Sequence, residues 1–209
     1  MIAVIIPTYH RAGSLERAAK NAKENTYSPM NLYFVVEPTD TASIDKIKEL
    51  GEKCIISKTP GSHTGAANTA YHETTEPFFI IANDDFNFHK DWDIPAMAAM
   101  EGKSVVGLND GSGGCAAITL VRRKYIEEQS GCVDIPDTLY FPGYNHNYVD
   151  TEFREVATKR GVWIAAPDAI VEHMHWAFGK AVMDETYDKS NKTAPLDAAT
   201  FSSRQHLWL

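Results

Sequence analysis

The sequence has few cysteines and no paired cysteine motif. Cys54, Cys115 and Cys132 are an odd number without a CxxC pair. This excludes a disulfide framework and a cysteine-built zinc site, and it reads as reduced, buried thiols in a cytoplasmic protein. No apolar run approaches the roughly 20 residues that cross a bilayer. The opening MIAVIIPTYHR has neither a basic stretch nor a small-residue cleavage site, so no signal peptide is expected. Positive charge is also short: 20 Lys and Arg stand against 28 Asp and Glu, a formal charge of −8. That balance disfavours non-specific nucleic-acid binding. The motifs GxGxxG, GxSxG and HExxH are missing. The glycine-rich stretch Gly111–Gly114 lacks the Lys-Ser/Thr of a phosphate-binding loop and reads as a hinge or lid.

What is present fits one domain. A chain of 209 residues, 44% hydrophobic, is long enough to bury a core without staples. Ile2–Pro7 is a continuous apolar, β-branched run and predicts a buried strand. Further strands are expected at Leu32–Val36, Cys54–Ser57, Phe78–Ala82, Ser104–Leu108, Ala116–Val121, Val162–Ala165 and Ala169–His175. Helices are expected after Ser14, after Ser43, at Thr64–Thr74, around Trp92–Met100 and at Thr151–Lys159, with Ser14 and Ser43 as caps. Strands alternating with helical patterns mean a mainly parallel sheet with helices on both faces. Ligands bind beyond the carboxyl ends of such strands, which points to Thr8–Gly13, Glu37–Thr41 and Asn83–Phe88. Gly131–Asn147 is expected to be a long structured loop.

Three groups could carry chemistry. Asn83-Asp84-Asp85 ends a buried strand, where a divalent cation would relieve the repulsion between adjacent carboxylates; an acidic turn is the alternative. In Glu172-His173-Met174-His175 the two histidines share a face if the segment is a strand. Either could ligate a metal, or one is a core histidine and the other exposed. Asp150 sits where a helix should start and reads as an N-cap, as a general base at the mouth of a cleft, or as both.

Taken in order, these segments resemble the family 2 glycosyltransferases of the GT-A fold. VIIPTYHR is similar to the family's opening strand followed by Pro-Thr-Tyr-x-Arg, Glu37 to the acidic residue after the second strand, and Gly65-Ala66-Ala67-Asn68 to its Gly…Ala-Arg-Asn helix start. FFIIANDDF resembles the strand ending in Asp-x-Asp, LVRRKYIEEQSG the stretch after the central strands, YVDTEFREVATKRG the catalytic helix, and AIVEHMH the late strand whose His completes a metal shell. The resemblance covers about residues 1–180. Asn83 replaces the first Asp of Asp-x-Asp, Val149 the Glu before the catalytic Asp, and Ala67 the Arg of Ala-Arg-Asn.

The resemblance implies a GT-A domain over 1–180 and a tail, 181–209, acting as a lid or assembly segment. It implies a UDP-sugar donor framed by Pro7, Thr8, Tyr9, Arg11, Glu37, Asn83 and Asp84. It also implies Mn²⁺ or Mg²⁺ on Asp85 with His173 or His175, and Asp150 as the base that activates an acceptor hydroxyl, with Glu152 as the next candidate. Compact transferases of this kind also occur in bacteriophages, where a hydroxylated DNA base is one acceptor and the host cytoplasm the location. That reading needs a basic patch from Arg122, Arg123, Lys124, Lys159 and Arg160. A sugar-phosphate nucleotidyltransferase and a non-catalytic nucleotide-sugar binding module are the alternatives. The former needs a Gly-rich basic loop after the first strand, which Pro7-Thr8-Tyr9 does not supply. The tail aromatics Tyr187, Phe201 and Trp208 are spaced as in a segment that docks on a surface.

Overall fold

The computed structural model describes residues 1–111 and 117–208. Ser112–Gly114 of the glycine-rich stretch and Cys115 lie outside the described residues. Among the described residues, eight strands form one sheet in the order β3-β2-β1-β4-β7-β6-β8-β5. They are β1 (Ile2–Pro7), β2 (Met30–Val36), β3 (Lys53–Ile56), β4 (Phe78–Ile81), β5 (Phe86–Phe88), β6 (Val105–Asn109), β7 (Thr119–Arg122) and β8 (Trp163–His173). The β3-β2-β1-β4 half is parallel throughout. Beyond it β7 runs antiparallel to β4 and β6, β6 and β8 are parallel, and β5 is an antiparallel edge.

Among the described residues, seven α-helices accompany the sheet: α1 (Leu15–Asn25), α2 (Thr41–Glu49), α3 (His63–Glu73), α4 (Asp93–Ala99), α5 (Arg123–Gln129), α6 (Val149–Lys159) and α7 (Glu185–Arg204). β1 is buried along its whole length because both of its faces are covered. Ile2, Val4 and Ile6 pack with Leu15, Ala18 and Ala22 of α1, Ile47 of α2 and Ala96 of α4. Ala3 and Ile5 pack with Ala66 and Ala70 of α3, Ile126 of α5 and Phe153 of α6. This is why β1 reads as an unbroken apolar run rather than an alternating one. Gly65 lets α3 approach closely, since a Cβ there would lie 2.4 Å from the Thr59 side chain.

Several expectations are corrected. Ser14 stands at the start of α1, but its hydroxyl donates to the Arg11 carbonyl and caps nothing. α2 is capped by Asp40, which accepts from the Ser43 backbone N–H, so Ser43 lies inside the helix. The two late strands are one, β8, whose register against β6 shifts between Leu108 and Asn109. Pro167 interrupts the pattern there, and its carbonyl accepts from the Asn109 side chain. Cys54 is exposed because β3 is an edge strand, while Cys132 is buried.

Of the five residues expected to form a basic patch, two are engaged within the fold. The Arg123 guanidinium is buried, donating to the carbonyls of Glu76 and Tyr71. Arg160 is held by the Tyr125 hydroxyl and the Ser130 carbonyl.

The tail carries the largest departure, since most of it is the 20-residue helix α7 with Pro195 inside it. An interior proline costs about 3 kcal/mol, and tertiary anchors offset it. Asp184 caps the helix, accepting from the backbone of Thr186 and Tyr187. Asp197, fully buried, accepts from the backbone N–H groups of Asn145, His146 and Asn147 at 2.8, 3.0 and 2.8 Å. The three tail aromatics are docked: Tyr187 and Trp208 are buried, and Phe201 stacks on Tyr148 at 5.2 Å.

Candidate active site

A cleft of about 520 Å³ opens at the carboxyl ends of β1, β2 and β4. The residues expected from the sequence to frame the donor, hold the metal or act as first-choice base all line it: Pro7, Thr8, Tyr9, Arg11, Glu37, Asn83, Asp84, Asp85, Asp150, His173 and His175. The chain reaches it from three directions. The strand ends supply the floor, the 145–151 segment one wall, and α7 another.

The loop after β1 turns at His10, whose φ of 53° is left-handed. The Asp40 carboxylate stabilises that turn by accepting from the His10 N–H at 2.8 Å. Arg11 is thereby placed between two carboxylates. It donates to Asp84 Oδ1 at 2.9 Å and to both oxygens of Asp184 at 2.8 and 2.9 Å. The Thr8 hydroxyl donates to Asp84 Oδ2 at 2.6 Å. Burial raises the Asp84 carboxyl above its ordinary value despite the lowering effect of Arg11 and Thr8. At the end of β2, Glu37 accepts from the Gly61 N–H at 2.6 Å through one oxygen.

Asp85 is arranged differently. Its Oδ2 accepts from the Tyr187 hydroxyl at 2.7 Å, and its Oδ1 faces His173 Nε2 at 3.4 Å. Both Asp85 Oδ1 and His173 Nε2 are buried without a hydrogen-bond partner. Burial alone would raise Asp85, but His173, Tyr187 and Arg11 together hold it at about 2, so it is ionised. An orphaned carboxylate oxygen facing an orphaned imidazole nitrogen fits one carboxylate and one histidine ligand of a small divalent cation. Mg²⁺ and its analogues take few protein ligands and complete their shell with water and substrate phosphates. No group of three or more His, Cys, Asp or Glu that could hold a metal ion lies among the described residues.

His175 lies past the end of β8, so strand alternation does not pair it with His173. Its Nδ1 accepts from the Ala177 N–H, and its ring packs edge-on against Tyr187 at 4.6 Å. The geometry therefore sets His173, rather than His175, against Asp85.

Asp150 is not an N-cap. Tyr148 holds that position with a left-handed φ of 65°, and Asp150 lies in the first turn of α6. Its Oδ1 accepts from the Thr151 N–H at 2.8 Å, which leaves Oδ2 available. Burial raises its carboxyl above the ordinary value, only partly countered by the Thr151 N–H. Such a carboxylate is a stronger base than one in water. Glu152 is no substitute: it is buried and held by Arg204 at 2.7 and 2.9 Å and by the Tyr144 hydroxyl at 2.7 Å.

Sequence reasoning missed His63, His146, Asp184 and Lys189, which also line the site or brace it. His63 Nε2 meets Asn83 Oδ1 at 3.0 Å, and its ring lies 4.8 Å from that of His146. Burial and the neighbouring His63 push His146 down to about 3, so it is neutral. His63 opens α3, His146 sits on an irregular segment, and Asp184 and Lys189 belong to the unexpected helix α7 and its cap, so no local pattern marks them.

A protein-family model, described as glycosyl transferase family 2, matches residues 3–142. No curated protein matches the chain in sequence. Among solved structures, glucosyl-3-phosphoglycerate synthase from Mycobacterium tuberculosis, determined with Mn²⁺, UDP and phosphoglyceric acid, superimposes with a TM-score of 0.71 at 12% identity, over 98% of this chain and 78% of that one. The mannosyltransferase PcManGT from Pyrobaculum calidifontis, determined with GDP-Man and Mn²⁺, gives 0.63 at 14% identity, over 98% of this chain and 75% of that one. At these identities the likeness establishes the fold, and it extends well past residue 142.

Proposed function

The chain belongs to glycosyl transferase family 2 and is a glycosyltransferase; on that premise we propose that it is a metal-dependent, inverting enzyme that moves a sugar from a UDP donor to an acceptor hydroxyl. The observation that carries this reading is the orphaned pair of Asp85 Oδ1 and His173 Nε2 on the floor of the cleft that Glu37 and Asp150 also line. Asp85 and His173 would hold Mn²⁺ or Mg²⁺, which supplies positive charge to the departing diphosphate. Both superimposed enzymes were determined with Mn²⁺ and a nucleotide or nucleotide sugar.

The chain's own residues divide the remaining work. Tyr9 and Glu37 frame the nucleoside, Glu37 through the oxygen that Gly61 does not use. Asp84, fixed by Thr8 and Arg11, orients the ribose side of the donor. Asp150 Oδ2 takes the proton of the acceptor hydroxyl as its oxygen bonds to the anomeric carbon. The bond from that carbon to the diphosphate breaks on the opposite face, which inverts the configuration. α7 serves as a lid over the donor, since Tyr187 already touches Asp85. The acceptor is a hydroxyl compound that enters past Asn147, Thr151 and Asn191, a wall of neutral polar groups. A cytoplasmic location is part of this reading, in keeping with an odd number of cysteines and no CxxC pair.

Calorimetry with UDP tests the donor assignment. UDP is expected to bind in the presence of Mn²⁺ without any acceptor, and Glu37→Ala is expected to weaken it about tenfold or more, the worth of one hydrogen bond to a charged group. Tighter binding of GDP than UDP would reassign the base. An unchanged UDP affinity in Glu37→Ala would remove Glu37 from the site.

A further inference from the structure

We propose that Lys189, on α7, is the residue that binds a phosphate oxygen of the nucleoside diphosphate; the proposal rests on the donor reading above and adds a cation that reading lacks. Arg11 and Lys189 are the only Lys or Arg residues among those lining the cleft. Residues 112–116 and 209, outside the described ones, contain no Lys or Arg.

The two cations differ in what they are free to do. Arg11 is committed to Asp84 and Asp184 and lies 3.6 Å from Asp85. Its single positive charge is already outweighed by three carboxylates. Arg11 therefore has little positive charge to offer a diphosphate beyond what a cation on Asp85 and His173 would supply, and Glu37 and Asp150 add further carboxylates to the same cleft. The Lys189 ammonium has no ion pair and no hydrogen bond among the described residues. It rests on the face of the Tyr9 ring, 3.7 Å from its centroid, and 3.9 Å from where a Gly61 Cβ would stand.

That resting place is cheap to leave. A partly exposed cation–π contact is worth about 0.5–1 kcal/mol, rising to about 2 when desolvated. A charge-assisted hydrogen bond to phosphate is stronger. The placement is also apt. The ammonium touches both Tyr9 and the Gly61 side of the cleft, where the Gly61 N–H donates to Glu37, and Thr186 ties α7 to the Tyr9 carbonyl at 3.0 Å. From α7 the lysine lines the same cleft as Glu37, Asp85 and His173. Its flexible stem lets the ammonium move from the ring to the phosphate without displacing α7.

The test compares UDP with uridine, in Mn²⁺ buffer, against the parent protein, Lys189→Ala and Lys189→Arg. UDP affinity is read by calorimetry and uridine affinity by NMR titration. Lys189→Ala is expected to weaken UDP about tenfold or more, to leave uridine unchanged, and to flatten the salt dependence of UDP binding. Lys189→Arg is expected to restore most of the affinity. Equal losses for UDP and uridine would mean that Lys189 only supports Tyr9, and no loss for either would remove it from the site. Both results overturn the proposal. Failure of the parent protein to bind UDP or GDP would overturn the donor reading itself, and Lys189's role with it.

Discussion

Asp150→Asn is expected to lower turnover by about 100-fold to 10,000-fold, the range for losing a general base, while leaving the melting temperature and UDP affinity unchanged. The substitution keeps the shape of the side chain, and an amide oxygen can still accept from the Thr151 N–H as Oδ1 does now. Because Tyr148 is the N-cap, no capping energy is lost. Only the capacity to take a proton disappears. Burial raises the Asp150 carboxyl above its ordinary value, so the parent enzyme loses activity as pH falls through that raised value. The residual activity of Asp150→Asn is expected to lack this acid limb. A variant that keeps near-parental turnover places the base elsewhere. One that loses stability in proportion to activity makes Asp150 a structural residue.

Arg204→Ala is expected to cost about 3–5 kcal/mol, the range for breaking a buried ion pair, and to lower Tm by roughly 10 °C in a chain of this size. Arg204 sits at the end of α7 and donates to Glu152 and to both oxygens of Asp134, with its guanidinium 3.3 Å from the centroid of the Phe141 ring. Truncation leaves the Glu152 carboxylate, only 2% exposed, with Tyr144 alone. The double variant Arg204→Met/Glu152→Leu removes both charges and is expected to recover most of the loss. A Tm change of only a degree or two for Arg204→Ala would mean that α7 is not anchored through this pair. Because α7 also carries Tyr187 and Lys189, the parent and variant should be compared for UDP affinity at a temperature where both are folded.

The sequence was most legible where local pattern and burial agree. Ile2–Pro7 reads as a central strand because both its faces are covered, and the acidic residues after β4 read as a site because strand ends face the cleft. His173 was readable for the same reason, since it ends β8. Legibility failed where a distant partner sets local structure. Pro195 argues against a helix, and the helix exists because Asp197 reaches the backbone of residues 145–147, some fifty positions earlier. Asp150 looks like a cap because a helix begins beside it. The left-handed Tyr148 takes that position instead, stacked on Phe201. Arg11 lines the cleft as the sequence suggests, but its bracing by Asp184 is illegible there, because Asp184 belongs to a segment that carries no family pattern. Pro167 split one strand into two apparent ones by breaking its apolar run at a shift in register.

If Asp85 and His173 recruit a divalent cation to make a nucleotide diphosphate leave a sugar, nucleotide release depends on both the metal and Asp85. The most direct test is nucleotide release from a panel of UDP- and GDP-sugars, measured with Mn²⁺, with Mg²⁺ and with EDTA, for the parent protein and for Asp85→Asn. Release is expected from a UDP-sugar with either metal. It should be abolished by EDTA, restored when metal is added back, and absent in Asp85→Asn. Full release in the presence of EDTA, or undiminished metal-dependent release by Asp85→Asn, would contradict the account.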